Sequence, residues 1–260
     1  MDAFIAPLLW GLLAFYNKPF PIFKYWKEFL VSGFYGVFAF STLNYLGLQS
    51  ISASQAGMIS AGIPITILIF TPIFLKEKIK LKAWVGAIIS IIGVILLIQG
   101  KQTASSEGSI LGEIEILISC VAWGMYTVFG KKYVKRIDPL TLTAGAAFYG
   151  TLLSAISCIG TVDPSSIHMS PNAWLGIAYV STFASVIAFV LWNAGVKIVG
   201  AGQAAPYINL LPVWTVLLGV LLLKEQISGI TLVGGIITII GAVLASGKNN
   251  AVKIQQKVNF

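Results

Sequence analysis

Charge is scarce in this chain. Its 17 Lys and Arg and 9 Asp and Glu make up 10% of 260 residues, against about 25% in an ordinary soluble domain. So few solvated groups cannot cover a globular surface, which excludes a soluble enzyme, a nucleic-acid binder and a disordered regulator. Histidine occurs once, and the two cysteines, Cys120 and Cys158, both lie in apolar runs. No disulfide framework follows from that pair. No His, Cys or carboxylate residues stand at metal-ligand spacing, and neither a nucleophile elbow nor a phosphate loop is present. The sequence therefore offers no catalytic centre, no metal site and no cofactor site.

What is abundant is apolar: 57% of residues, with a mean hydropathy of +0.88. A bilayer-crossing helix needs about 20 mostly apolar residues. The runs expected to cross are Ala3–Tyr16 (short), Phe29–Leu48, Ser54–Leu75, Ala83–Gly100, Ile110–Gly130, Leu140–Ile159, Ala173–Val196, Gly200–Leu223 and Ile227–Gly247. They are too long for barrel strands, which need about 10 residues of alternating polarity. The expected fold class is an all-α polytopic membrane protein with nine visible transmembrane helices.

The net charge of +8 is then a matter of loops. With the sides alternating, 15 of the 17 basic residues fall on one side, in the groups around Lys18, Lys76, Lys131 and Lys197 and in the tail from Lys248. Only Lys101 and Lys224 fall on the other. The positive-inside rule makes the first side, and with it the C-terminus, cytoplasmic.

The chain also repeats itself. Gly47, Gln55, Ala56, Pro64, Leu75, Lys76, Glu77, Ile79, Gly86 and Gly93 recur, without a gap, as Gly195, Gln203, Ala204, Pro212, Leu223, Lys224, Glu225, Ile227, Gly234 and Gly241, an offset of 148. Chance would match Ile and Leu between two apolar helices, but rarely Gln, Pro and a Lys-Glu pair together. The two Lys-Glu pairs fall on opposite sides, so the expected repeats are inverted in the membrane, as in many secondary transporters.

The repeat unit, with Asn44-Tyr45-Leu46-Gly47, Ser52-Ala53-Ser54-Gln55-Ala56-Gly57, Pro64 and Leu75-Lys76-Glu77, resembles the EamA domain of the drug/metabolite transporter superfamily. Leu191-Trp192-Asn193-Ala194-Gly195, Asn209-Leu210-Leu211-Pro212 and Gly112-Glu113 followed by Trp123-Gly124-Met125-Tyr126 extend the similarity over nearly the whole chain. The resemblance implies a ten-helix bundle of two inverted five-helix halves. It also implies export or exchange of a small organic metabolite or amphipathic drug by alternating access around a site between those halves.

The expected organisation is a first repeat over 1–100, N-terminally truncated, a second over 110–247 and a short cytoplasmic tail over 248–260, integral to a bacterial cell membrane. Against the ten-helix pattern the first helix is missing, as though about 40 ancestral residues preceded Met1. Expected partners are a small-molecule substrate and the lipid bilayer, with no nucleic acid; monomer and homodimer stay open. Two rival readings are a truncated, nonfunctional transporter product and an intramembrane lipid-modifying enzyme.

The middle of every span lacks ionisable residues. Glu113 and Glu115 suit the positive end of their helix, Glu77 and Glu225 adjoin lysines, and His168 lies in a loop. Neutral polar and aromatic residues remain at membrane depth. Asn44, Tyr45, Trp123, Tyr126, Trp192, Asn193, Tyr207 and Asn209 are the expected substrate-binding residues, with Ser60, Thr66, Thr127, Gln203 and Trp214 nearby. An amide or phenol in lipid must find a partner, so these should point inward, lining a cavity or joining helices. Gln203, Tyr207 and Trp214 would form one helical stripe. Pro64 and Pro212 each remove a mid-span hydrogen bond. Tyr25, Trp26 and Trp174 read as interfacial anchors, and the glycines at 86, 93, 234, 235 and 241 as close-packing positions.

Overall fold

In lipid every backbone N–H and C=O must be satisfied within the segment, and the chain answers with helices. A computed structural model describes residues 2–15, 20–99, 109–159, 170–223 and 228–246. The expectations for His168, for Lys224-Glu225 and for the tail over 248–260 lie outside them. The elements are α1 (Asp2–Phe15), α2 (Trp26–Ser50), α3 (Ala53–Ser60), α4 (Ile63–Phe70), α5 (Leu81–Gln99), α6 (Ile110–Tyr133), α7 (Pro139–Cys158), α8 (Pro171–Val199), α9 (Ala201–Ala204), α10 (Leu211–Leu223) and α11 (Gly229–Ser246). Among the described residues, six stretches are long and apolar enough to cross a membrane: α2, Gln55–Leu75 (most of α3 with α4), α5, α6, α7 and α8.

Local chemistry sets several of the ends. The Ser52 hydroxyl accepts from the Gln55 N–H while the Gln55 side chain accepts from the Ser52 N–H, a reciprocal cap that starts α3. The glutamine shared by both repeats is thus a helix-start signal in the first copy. In the second copy Gly200, at φ 96°, stands where Ser52 would be. Asp138 caps α7 through the Leu140 N–H, with Pro139 in the first turn.

Two expected spans are not continuous helices. The span expected over Ser54–Leu75 breaks at Ala61-Gly62, between α3 and α4. The span expected over Gly200–Leu223 is α9, then a 3-10 stretch over Ala205–Leu210, then α10. Pro64, Pro206 and Pro212 each fall in the first turn of the piece that follows. There the missing N–H costs nothing, whereas inside a helix it would leave a carbonyl orphaned.

The chain forms two compact units. One holds Met1–Thr42 and Phe129–Lys197, the other Leu43–Val128 and Ile198–Phe260. Their boundaries fall inside α2, α6 and α8, so each unit takes helices from both halves of the sequence.

In the first unit, Leu9 and Leu13 of α1 pack with Leu140, Ala144 and Ala147 of α7 and Val186 of α8. Phe29 packs with Val134, Ile137 and Leu142. Glycine lets α2 and α7 nearly touch: a Cβ on Gly33 would lie 2.5 Å from the Ala146 carbonyl oxygen.

In the second unit, α5 and α11 cross at backbone contact. A Cβ on Gly86 would lie 2.5 Å from the Gly241 carbonyl oxygen and 2.7 Å from Ala245. One on Gly93 would strike Thr238, one on Gly234 Leu97, and one on Gly241 Ser90. Rising numbers on α5 meet falling numbers on α11, so the two helices run antiparallel. Under the offset of 148, Gly86 exchanges with Gly234, Ser90 with Thr238, Gly93 with Gly241 and Leu97 with Ala245. The contacts map onto one another.

Candidate functional site

The feature that organises the second unit is the pair of interrupted helices, and its two members are repeat-related. Pro64 matches Pro212, and the Ala61-Gly62 break matches Asn209-Leu210 at the end of the 3-10 stretch. The two pack against each other, α4 against α9 and the 3-10 stretch.

Helix α6 braces the first interruption. The Thr66 hydroxyl donates to the Ile63 carbonyl at 2.8 Å and to the Cys120 carbonyl at 3.1 Å. The Cys120 thiol lies 3.8 Å from the Ile59 carbonyl. Gly124 completes the seat, since any Cβ there would run into Thr66. Trp123 and Tyr126 sit on the same helix with ring centroids 5.4 Å apart, Tyr126 fully buried and Trp123 half-buried. Thr127 is also buried.

The second interruption is held differently. Asn209, buried in the 3-10 stretch, donates from Nδ2 to Ser90 Oγ at 2.8 Å, and that hydroxyl donates to the Ala87 carbonyl at 2.9 Å. This ties the interrupted helix to the α5–α11 crossing. In the first unit Asn193 makes the same kind of link, from Nδ2 to Thr143 Oγ1 at 3.0 Å, with Thr143 donating to the Pro139 carbonyl. Both buried asparagines therefore join helices.

Of the eight expected substrate residues, Asn44, Tyr45, Trp123, Tyr126, Tyr207 and Asn209 belong to the second unit, and Trp192 and Asn193 to the first. Asn44 and Trp192 are half-buried. Exposure differs among the expected residues. Tyr45 is 51% exposed, Tyr207 41% and Trp214 58%. A stripe through Gln203, Tyr207 and Trp214 assumes 3.6 residues per turn throughout, and the 3-10 stretch, at 3.0 residues per turn, takes the later residues off that face. Sequence reasoning did not read Ser90 or Cys120 as part of a site. Ser90 carried a signal, because its repeat mate is the hydroxyl residue Thr238. Cys120 carried none.

Apolar helices of membrane-spanning length, together with two helical segments interrupted at matched positions, define a polytopic α-helical membrane protein. The chain belongs to the EamA-like transporter family, whose model matches residues 3–99 and 110–247. It is 30% identical over 226 residues to the uncharacterized transporter YyaM of Bacillus subtilis (strain 168), covering 85% of this chain and 73% of that one. An uncharacterized transporter of Archaeoglobus fulgidus is 26% identical, covering 86% and 78% of the two chains. A crystal structure at 20% identity superposes with a TM-score of 0.81 over 94% of this chain and 84% of its own, a likeness of fold.

Proposed function

We propose that the protein is a secondary transporter that exports or exchanges a small organic solute by alternating access. The observation that carries this reading is the matched interruption of two helices in one unit. Half-helices leave backbone groups and helix ends free at membrane depth, and such pairs mark the binding sites of many secondary transporters. The self-exchanging, antiparallel α5–α11 crossing supports inverted repeats over 1–100 and 110–247, and the charge bias of the loops supports a cytoplasmic C-terminus. Within the second unit, Asn44, Tyr45, Trp123, Tyr126 and Tyr207 are the proposed solute contacts, with aromatic faces supplying contact area. Asn209 holds the interrupted helix in place, and Asn193 ties α8 to α7.

The test is counterflow in proteoliposomes loaded with a panel of radiolabelled amino acids, organic acids and amphipathic drugs. Saturable uptake of at least one compound is expected, with Trp123→Ala and Tyr207→Ala raising its half-saturating concentration more than Leu217→Ala, a change on an exposed leucine of α10. Folded protein with no flux above protein-free vesicles across the panel would reject the reading.

A further inference from the structure

Helices α2 and α8 are related by the repeat, and each changes its winding in mid-span. In α2 the segment Phe34–Ala39 is a π-helix between α-helical flanks. In α8 the segment Val180–Ile187 is a π-helix between Pro171–Tyr179 and Ala188–Val199. Adding 148 to the first range gives 182–187, which falls wholly within the second. The matched positions also agree in kind, with aromatic Tyr35 and Phe183 and small Gly36 and Ala184. A π segment is rare and frequent at functional sites, and two at the same place in both copies point to a shared device rather than a local accident.

The packing differs on either side of each segment. The start of α2 is clamped to α7, where Gly33 meets Ala146 and Gly150 and Phe29 meets Gly145. Beyond its π segment α2 leaves the first unit after Thr42. In α8 the order is reversed: Pro171–Tyr179, before the segment, buries no side chain, whereas beyond it Asn193 is bonded to Thr143 of α7. Each π segment thus lies between a part of its helix held on α7 and a part that is not. The remaining π segment among the described residues, Thr71–Leu75, ends its helix at Lys76, whose φ is 55°, and its repeat mate is ordinary α-helix within α10.

We infer that Phe34–Ala39 and Val180–Ile187 are paired hinges at which α2 and α8 bend together as the protein changes state. A π turn holds one residue more than an α turn closes over, so its bonds can re-register with little loss. The geometry sets the scale: a bend of about 20° acting on an arm of about ten residues, or ~15 Å, moves the far end by ~5 Å.

The inference rests on the transporter reading for its purpose, but its test needs no solute. Native Cys158, at the exposed end of α7, takes one spin label, with Cys120 replaced by Ser. The second label goes on Gln49→Cys or Asn172→Cys, in the part of each helix not held on α7, or on Lys27→Cys or Lys197→Cys, in the part that is. Pulsed electron resonance in nanodiscs should show two distances, ~5 Å apart, for the Gln49 and Asn172 pairs and one for the Lys27 and Lys197 pairs. Deleting Gly36 or Ala184, which returns the turn to α-helical register, should collapse the corresponding pair to one distance.

Gln49 and Asn172 pairs as narrow as the Lys27 and Lys197 controls, or two distances persisting after deletion, would overturn the hinges. Should a deletion variant fail to fold, the comparison within the full-length chain still decides. Two distances without counterflow would remove the transport reading and leave the hinges, while counterflow with one distance would do the reverse.

Discussion

The interruption at Ala61-Gly62 and the one over Ala205–Leu210 arise from matched sequence, yet they sit in different surroundings. The first lies against α6, which supplies the Cys120 carbonyl and thiol and a glycine seat for Thr66. At the corresponding places around the second, Tyr207, Leu211 and Trp214 are exposed, while the Asn209 amide ties it to Ser90 and α4 packs against it. Glycine shows the same contrast. Gly47 is pressed against Ile116 and Gly112 of α6, while its mate Gly195 has nothing within 4 Å. A repeated sequence fixes where a helix breaks; its neighbours decide how firmly the break is held.

The largest expected effect comes from attacking the brace of the first interruption. Gly124→Leu forces a side chain into Thr66 and should destabilise the protein by about 3 kcal/mol, the upper end of ordinary overpacking. Gly195→Leu enters open space, with nothing within 4 Å of a Cβ there, and should stay within about 0.5 kcal/mol. Thermal unfolding in detergent compares the two, and equal losses would erase the contrast.

Next comes the amide link. Asn209→Ala should cost about 1 kcal/mol, as for an interhelical hydrogen bond in a membrane protein. In a double-mutant cycle with Ser90→Ala the two losses should overlap rather than add. Strict additivity would mean that the 2.8 Å contact contributes nothing to holding the second interruption.

A smaller effect is expected at the caps. Ser52→Ala removes the reciprocal cap of α3 and should cost about 1 kcal/mol or less. Gly200→Ala, at the matched position, acts instead through its positive φ, a backbone strain that no cap can mend. Serine at position 200 should therefore fail to stabilise α9, and a gain in melting temperature would show that the second copy can still be capped.

The gentlest probe changes no energies. Single cysteines at Tyr207 and Trp214 should react with an apolar maleimide in membranes several-fold faster than cysteines at Ile59 and Thr66. Equal rates would place both interruptions in the same surroundings.

Much of this architecture is legible in the sequence because lipid demands long apolar helices and because prolines announce where two of them stop. Pro64 and Pro212 point to the interruptions, and the glycines at 86, 93, 234 and 241 to the crossing. What the sequence hides is winding. A π turn at Phe34–Ala39 has no compositional mark, since Phe, Tyr, Val and Ala also suit an α-helix. The 3-10 stretch likewise shifts Tyr207 and Trp214 off the face that helical spacing assigns them. Partners at a distance are hidden too: nothing local to Asn209 names Ser90, and only the repeat mate Thr238 hints that a hydroxyl belongs there.

The α5–α11 crossing also fixes an order of assembly. Synthesis runs from the N-terminus, so α5 enters the membrane long before α11 exists. Until α11 arrives, Gly86 and Gly93 have only lipid or passing helices beside them, a backbone stripe that any small-faced neighbour could occupy. This backbone contact of the second unit can therefore form only after every other helix described here has been made, and losing the end of the chain would leave α5 without the helix its glycines fit.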